Sequence, residues 1–289
     1  MAILAFDIGG TAVKYGLWED ETVTESGSFP TPATWEEMKN SLLIVKRQFE
    51  SDYGLKGIAF SAPGAVDTTT GIIGGISALD YIHHFPIVAE LEELLGLPVS
   101  MENDANCAAL AEVHYGAAKA VNNCYFMVIG SGIGGALVIN RQLIKGKHLF
   151  GGELGYMLLN KEDTLSKLGS PVVMTKTFQQ KHQNLVTTEE IFDLAAVGDQ
   201  EALEAIDGFY KGLAQGLHNI LVTIDPDCIV LGGGISQRSD LLSRIQKEVE
   251  ILLKQTHADD IQPDIRICQY RNQANLIGAV AHFEQSQAG

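Results

Sequence analysis

The amino-acid sequence predicts an α/β fold made of two halves. Three observations carry this. Apolar strand patterns alternate with amphipathic helix patterns along most of the chain, as largely parallel sheets require. An N-terminal strand, glycine turn and strand recur about 120 residues later, as duplication of a whole domain would leave them. The length of 289 residues suits two domains of about 150 residues each.

The elements follow in order. Residues 3–6 are an apolar run ending at Asp7; Gly9-Gly10-Thr11 and a second run over 12–18 complete a hairpin pattern. Residues 34–53 place Trp35, Met38, Leu42, Val45 and Phe49 at helical spacing, with Thr34 and Glu37 as a capping-box signature and Gly54 as the stop. A strand over 58–60 runs into Ser61-Ala62-Pro63-Gly64. A helix over 86–95 has proline in its first turn and Gly96 after its end. Residues 99–101 read as a strand, and Asn103-Asp104 cap an alanine-rich helix reaching about Tyr115. The pattern then restarts, with a strand over 125–129, a turn from Gly130 to Gly135 and a return strand over 136–139. Residues 140–160 form a glycine-rich loop, and residues 188–224 carry two helices, the second long. A strand over 228–231 ends in Gly232-Gly233-Gly234. A helix (about 238–254), a strand (264–268) and a last helix (273–285) complete the chain. No low-complexity linker separates the halves, so they are expected to share a cleft.

Composition narrows the functional classes. The formal charge is −16, from 36 acidic and 20 basic residues. A nucleic-acid partner needs a net basic face, and attraction to anionic lipid is disfavoured for the same reason. Neither partner is expected. The N-terminus MAILAFDIGG lacks a basic segment and is interrupted by Asp7, which argues against a signal peptide. No run approaches the ~18 apolar residues of a membrane span, so a cytoplasmic location is expected. Cys107, Cys124, Cys228 and Cys268 lie far apart without metal-knuckle or redox spacing. They read as small buried apolar residues.

Three glycine-rich turns each follow a strand pattern: Asp7 to Thr11, Gly130 to Gly135, and Gly232 to Gly234. Glycine lets backbone N–H groups approach an anion closely and accepts positive φ. One such turn means little, because hairpins need glycine anyway. None is a Walker A motif or a dinucleotide fingerprint. Two related by duplication can clamp a polyphosphate, and Asp7 at the strand end would hold Mg²⁺ through water. Asp7 is otherwise a turn-capping carboxylate. Glu102-Asn103-Asp104-Ala105-Asn106 puts four polar residues where an N-cap needs one. A carboxylate there lies where α/β folds bind ligands and could take a proton from a substrate hydroxyl. In Gly151-Gly152-Glu153-Leu154-Gly155-Tyr156, a carboxylate between glycines on a mobile loop suits hydrogen bonding to vicinal hydroxyls; the alternative is a solvated loop glutamate.

These segments together resemble the ROK family of sugar kinases, within the hexokinase and actin superfamily. The resemblance covers essentially the whole chain and rests on FDIGGTAVKYGL, GIAFSAPGAVD, ENDANCAALAE, VIGSGIGGALVINRQLIKGKHLFGGELGY and IVLGGGIS. It implies two ribonuclease-H-like lobes of the actin-like ATPase kind, residues 1–116 plus 275–289 forming the smaller and 117–274 the larger. It implies ATP and Mg²⁺ as cosubstrate and metal, a sugar as acceptor, and by family habit a homodimer. Gly9, Gly10 and Thr11 would form the first phosphate loop with Asp7 near the metal, Gly132 and Gly134 the second, and Gly232, Gly233 and Gly234 the border of the adenosine. Asp104 would be the base on a sugar 6-hydroxyl. Asn103 and Glu153 would hold sugar hydroxyls, and Pro63 and Gly64 would shape the pocket wall. Lys14 would help neutralise the phosphates or serve as a solvated strand lysine.

One departure bears on the acceptor. Many relatives carry a structural zinc held by a histidine in G-E-x-G-H and a following cysteine knuckle. Here Tyr156 takes the histidine's place, as a candidate sugar contact, and residues 164–178 hold no cysteine, so no zinc is expected. Zinc-bearing relatives also place a glutamate after the knuckle near the anomeric oxygen. Residues 164–188 hold neither Asp nor Glu. That loss weakens the demand for a free anomeric hydroxyl and points to a β-glucoside or disaccharide acceptor; glucokinase and N-acetylmannosamine kinase are the alternatives. A repressor would need a DNA-binding segment that the first strand at Ile3 leaves no room for. A non-catalytic sugar sensor would lack the base at 104. An actin- or chaperone-like ATPase would not need the ENDAN segment.

Overall fold

The computed structural model describes residues 2–183 and 185–288. They form two compact units. Unit 1 holds the chain through Gly116, the segment Gly146–Phe150 and the stretch from Asn272 onward; unit 2 holds Ala117–Lys145 and Gly151–Arg271. The sequence had put the return at residue 275 and left 146–150 in the larger lobe.

Unit 1 contains β1 (Ala2–Ile8), β2 (Ala12–Glu19), β3 (Thr22–Pro30), α1 (Trp35–Glu50), β4 (Leu55–Ala62), the short hairpin β5 (Ala65–Asp67) and β6 (Ile72–Gly74), α2 (Ile87–Leu95), β7 (Val99–Asn103) and α3 (Asp104–His114). Unit 2 contains β8 (Cys124–Ile129), β9 (Ile133–Ile139), β10 (Gln142–Leu143), α4 (Leu165–Gly169), α5 (Pro171–His182), α6 (Thr188–Ala196), α7 (Gln200–Ile224), β11 (Cys228–Gly232), α8 (Leu241–Gln255) and β12 (Ile265–Ile267); α9 (Ala274–Ala288) returns to unit 1.

The sheet of unit 1 runs β3-β2-β1-β4-β7 and that of unit 2 runs β10-β9-β8-β11-β12. In each, the first two strands pair antiparallel and the first strand pairs parallel with the fourth in the order, so both units repeat one ribonuclease-H-like plan. All seven residues of β1 are buried, as a central strand covered on both faces requires. Its side chains Leu4, Phe6 and Ile8 join Met38, Leu42 and Phe49 of α1 in the unit 1 core. The long α7 buries Ile206, Phe209, Leu213 and Leu217 over the unit 2 sheet. No described helix is long and apolar enough to cross a membrane. The four cysteines are buried, and none of them is in a disulfide.

Local chemistry explains most element ends. Thr34 caps α1 by accepting the Glu37 amide, but Glu37 Oε2 accepts the amide of Ala33 and not that of Thr34. Gly96 closes α2 with φ 64°. The short strands β5, β6 and β10 went unread in the sequence, and so did three larger elements. β3 is largely exposed and polar, and only its pairing with β2 makes it a strand. The helices α4 and α5 occupy residues 165–182, where the sequence showed only missing cysteines; Thr164 and Ser170 cap them, and Pro171 opens the second.

Within unit 1, α3 and α9 cross closely. A Cβ on Gly278 would overlap the Cys107 carbonyl oxygen. Gly278→Ala is therefore expected to destabilise the protein by about 1–3 kcal/mol, the usual range for overpacking; thermal unfolding read against wild type checks this.

Candidate active site

The residues singled out by sequence fall into one group in each unit. In unit 1, register sets Asp7 of β1 beside Ser61 of β4. Asp7 is 8% exposed, and its Oδ1 accepts the Ser61 hydroxyl at 2.9 Å and the Asn275 side-chain amide at 3.0 Å. Its Oδ2 carries no hydrogen bond among the described residues and is not sealed from solvent. A carboxylate with one oxygen fixed and one open suits a hydrated magnesium ion, a hard cation that keeps its waters. Sequence reasoning missed Ser61 and Asn275. Ser61 stands in the loop motif SAPG, while nothing local marks an asparagine 268 positions from its partner.

The first glycine turn sits at the end of the same strand. Gly9 N–H donates to Ala12 at 3.1 Å, and the Thr31 hydroxyl donates to the Gly9 carbonyl at 2.6 Å. A Cβ on Gly9 would lie 2.9 Å from the Ala12 oxygen, so glycine is required there. The amides of Gly10 and Thr11 donate to no acceptor among the described residues, which leaves two N–H groups able to meet an anion. Lys14 is exposed opposite Asp7 in the register, with no ion pair between them.

Asn103 caps α3. Its Oδ1 accepts the amides of Ala105 at 2.9 Å and Asn106 at 3.2 Å, and its Nδ2 donates to the Gly64 carbonyl at 2.9 Å. Its carbonyl is thus occupied by the cap, and one side-chain N–H is left for a ligand. Asp104 begins the helix, with Oδ1 accepting the Ala105 amide at 2.8 Å. Its carboxyl is raised above the ordinary carboxylate range, by burial first, with the nearby charge of Asp7 adding to it against the Ala105 amide. Asp104 keeps more than a third of its surface open, yet the surrounding volume is mostly protein, and that volume governs the solvation of its charge. The neighbours Glu102 and Asn106 turn inward. Glu102, 1% exposed, accepts the Asn103 amide at 2.7 Å and the Asn106 side chain at 3.0 Å. Of the four polar residues, two therefore stiffen the cap.

Gly64 holds φ 101°, and a Cβ there would come within 2.9 Å of His83 and 2.7 Å of Ile73. His83 is 9% exposed and bonded through Nε2 to the Ser77 hydroxyl at 2.8 Å. Gly64 thus helps to position Asn103, and Pro63 precedes it in the chain.

In unit 2, Gly130 N–H donates to Gly132 at 2.9 Å. The Ser170 hydroxyl donates to the Gly130 carbonyl at 2.7 Å, as Thr31 does for Gly9 in the other unit. The Ser166 hydroxyl accepts the Ile133 amide at 3.0 Å. Neither serine was singled out in the sequence, because Ser166 lies on one unread helix and Ser170 caps the other. Gly134 pairs with Val128 inside β9. Gly233, with φ 93°, packs against the Ile129 carbonyl at the end of β8, so the segment Gly232 to Gly234 lies beside the second glycine turn.

The loop bearing Glu153 is tied down, which corrects the expectation of a mobile one. The Gly151 amide donates to Lys145 at 2.8 Å, and the buried Tyr125 hydroxyl donates to the Gly152 carbonyl at 2.8 Å. Burial pushes the Tyr125 phenol well up, which keeps it a donor. Gly155 lies so close to β9 that a Cβ would overlap the Ile133 carbonyl. The half-buried Glu153 precedes a single 3-10 turn over Leu154–Tyr156, and Tyr156 is 69% exposed.

The sequence profile of the ROK family matches residues 3–286. A β-glucoside kinase of Listeria monocytogenes is 33% identical, with 99% of each chain covered. An N-acetylmannosamine kinase of Vibrio vulnificus is 30% identical, again over 99% of each. A ROK family protein of Streptococcus pneumoniae, solved in complex with sucrose, superposes with a TM-score of 0.92 at 37% identity, covering 100% of this chain and 99% of that one.

Proposed function

The chain belongs to the ROK family and is a carbohydrate kinase, and on that premise we propose that it transfers the γ-phosphoryl group of ATP to the 6-hydroxyl of a glucosyl unit, with a β-glucoside or disaccharide preferred. The observation that carries the reading is Asp104: a carboxylate at a helix start, anchored through one oxygen, with its proton affinity raised toward the working range of a general base.

The roles follow from the free groups. Asp104 Oδ2 accepts the proton of the 6-hydroxyl as that oxygen bonds to the γ-phosphorus and the bond from phosphorus to ADP breaks. The remaining Asn103 N–H and the Glu153 carboxylate hold neighbouring sugar hydroxyls, with Tyr156 as a further contact. The open amides of Gly10 and Thr11, and the second turn with Gly132 and Gly134, bind phosphate oxygens, and Gly232 to Gly234 border the adenosine. Asp7 would hold Mg²⁺, which would supply neutralisation of charge on the phosphates.

Two features support an acceptor substituted at the anomeric position. Residues 164–188 carry no carboxylate to demand a free anomeric hydroxyl. The β-glucoside kinase of Listeria monocytogenes and the sucrose complex of the Streptococcus pneumoniae protein point the same way. Release of ADP from Mg-ATP, measured with glucose, N-acetylmannosamine, fructose, cellobiose, gentiobiose, sucrose and a no-sugar blank, tests the reading. Turnover on a disaccharide, with the phosphate located on the 6-oxygen by NMR, is expected. Turnover on monosaccharides alone would keep the kinase and discard the glycoside preference. Binding of sugar without turnover would turn the reading toward a sensor.

A further inference from the structure

A recess of about 460 Å³ in unit 1 is lined by Asp67, Thr69, Thr70, Lys147, His148 and Leu149. Two turns build it. Asp67 ends β5; its Oδ1 accepts the Thr69 amide at 2.9 Å, and its carbonyl accepts the Gly71 amide at 2.8 Å, which shapes the threonine turn. In the second turn the Leu149 amide donates to the Gly146 carbonyl at 3.4 Å, with the exposed Lys147 and His148 between. Leu149 holds φ 60°, an uncommon conformation for leucine. Strained backbone of this kind clusters where a site is built.

The hairpin of β5 and β6 leads from Gly64 to this recess. Val66 and Ile73 pair in the register and point into the unit 1 core. Strand alternation turns Ala65 and Asp67 to the other face. That face begins at Gly64, whose carbonyl holds the Asn103 side chain. Three extended residues, about 10 Å, separate Gly64 from Asp67. Ala65 and its register partner Gly74 leave that path free of bulk.

We propose that this recess is the subsite for the second ring of a disaccharide, a neutral hexose, while the first ring lies against Asn103 and Asp104. The inference rests on the sugar-kinase reading. Its chemistry is set by the lining. The carboxylate of Asp67 and the ammonium of Lys147 offset each other in charge. Two threonine hydroxyls and an imidazole supply donors and acceptors, as a polyol requires. An anionic ring would face Asp67. An aryl aglycone would find a single apolar side chain, Leu149. The volume falls in the range of small-ligand sites, and the two hydrogen-bonded turns are formed in advance, which spares ordering entropy on binding.

Calorimetric binding to the full chain tests this without catalysis, using methyl β-glucoside, cellobiose, gentiobiose and phenyl β-glucoside. Wild type is expected to bind at least one disaccharide about tenfold more tightly than methyl β-glucoside, with no such gain for the phenyl glucoside. In Thr69→Val/Thr70→Val and in Lys147→Ala/His148→Ala, the ratio of the disaccharide Kd to the methyl glucoside Kd should rise about tenfold, the loss of one or two hydrogen bonds. A ratio unmoved in both variants, both Kd values rising together, an equal gain for the phenyl glucoside, or no disaccharide gain in wild type would each overturn the subsite. The two readings fail separately. Recess-dependent disaccharide binding without phosphoryl transfer removes the kinase mechanism and leaves the subsite. Turnover of monosaccharides with no disaccharide gain removes the subsite and leaves the kinase.

Discussion

Replacing Asp104 with asparagine is expected to lower kcat by about 10²-fold or more, while the protein folds and binds sugar. Asparagine keeps the shape and can still accept the Ala105 amide, which Asp104 Oδ1 receives at 2.8 Å. It cannot take a proton. The pH dependence supplies a second readout. The folded carboxyl is raised above its ordinary value, chiefly by burial. The base is therefore lost as pH falls through a point above the usual carboxylate pKa of about 3.9. The wild-type rate should show that acid limb, and the residual rate of the variant should not. Stability has the opposite sign to activity. A raised carboxylate binds its proton more tightly when folded, so its contribution is fully favourable below the unfolded pKa and is lost as pH rises through the folded pKa. At neutral pH the ionised Asp104 is a burden on the fold, and Asp104→Asn should melt no lower than wild type. A variant within a few-fold of wild-type turnover, with the acid limb intact, would remove Asp104 from the role of base.

Gly233→Ala is the change with the largest expected effect on stability. The residue holds φ 93°, and its Cβ would overlap the backbone carbonyl of Ile129. Backbone strain of about 1–3 kcal/mol adds to an overpacking cost of about 1–3 kcal/mol. The obstacle is main chain at a strand end, so no side-chain rotation relieves it. The neighbouring Gly234 is the control. A Cβ there meets nothing within 4 Å, and Gly234→Ala should shift stability by no more than about 1 kcal/mol, the ordinary difference between these residues in regular structure. Thermal melts of both variants decide the matter. Equal melting of the two would show that the tight approach of Gly233 to β8 is not needed by the fold.

Much of this was legible along the chain. The repeated strand, glycine turn and strand is written in residue types, because a tight turn needs glycine and a covered strand needs an apolar run. The observed Gly9 turn and β1 follow that logic directly. The cap at Asn103 was legible too, since an asparagine before an alanine-rich run has a mechanism for satisfying free amides. What the residues of that cap have left to offer a ligand was not. Asn103 spends its carbonyl on two amides, and Glu102 and Asn106 bond to each other. Those bonds depend on how the helix leaves β7, which sequence spacing does not express.

The sequence by itself determined the duplicated α/β plan, the three glycine turns and the carboxylates Asp7, Asp104 and Glu153, because each is a local demand on backbone conformation or charge. Tertiary structure alone made β3 a strand, put Ser170 on the Gly130 carbonyl and set Asn275 against Asp7. These depend on partners 3 to 268 positions away in the chain. Such contacts form only when strand register and helix packing bring the chain back on itself, and a register is a property of the paired strands and not of either strand alone.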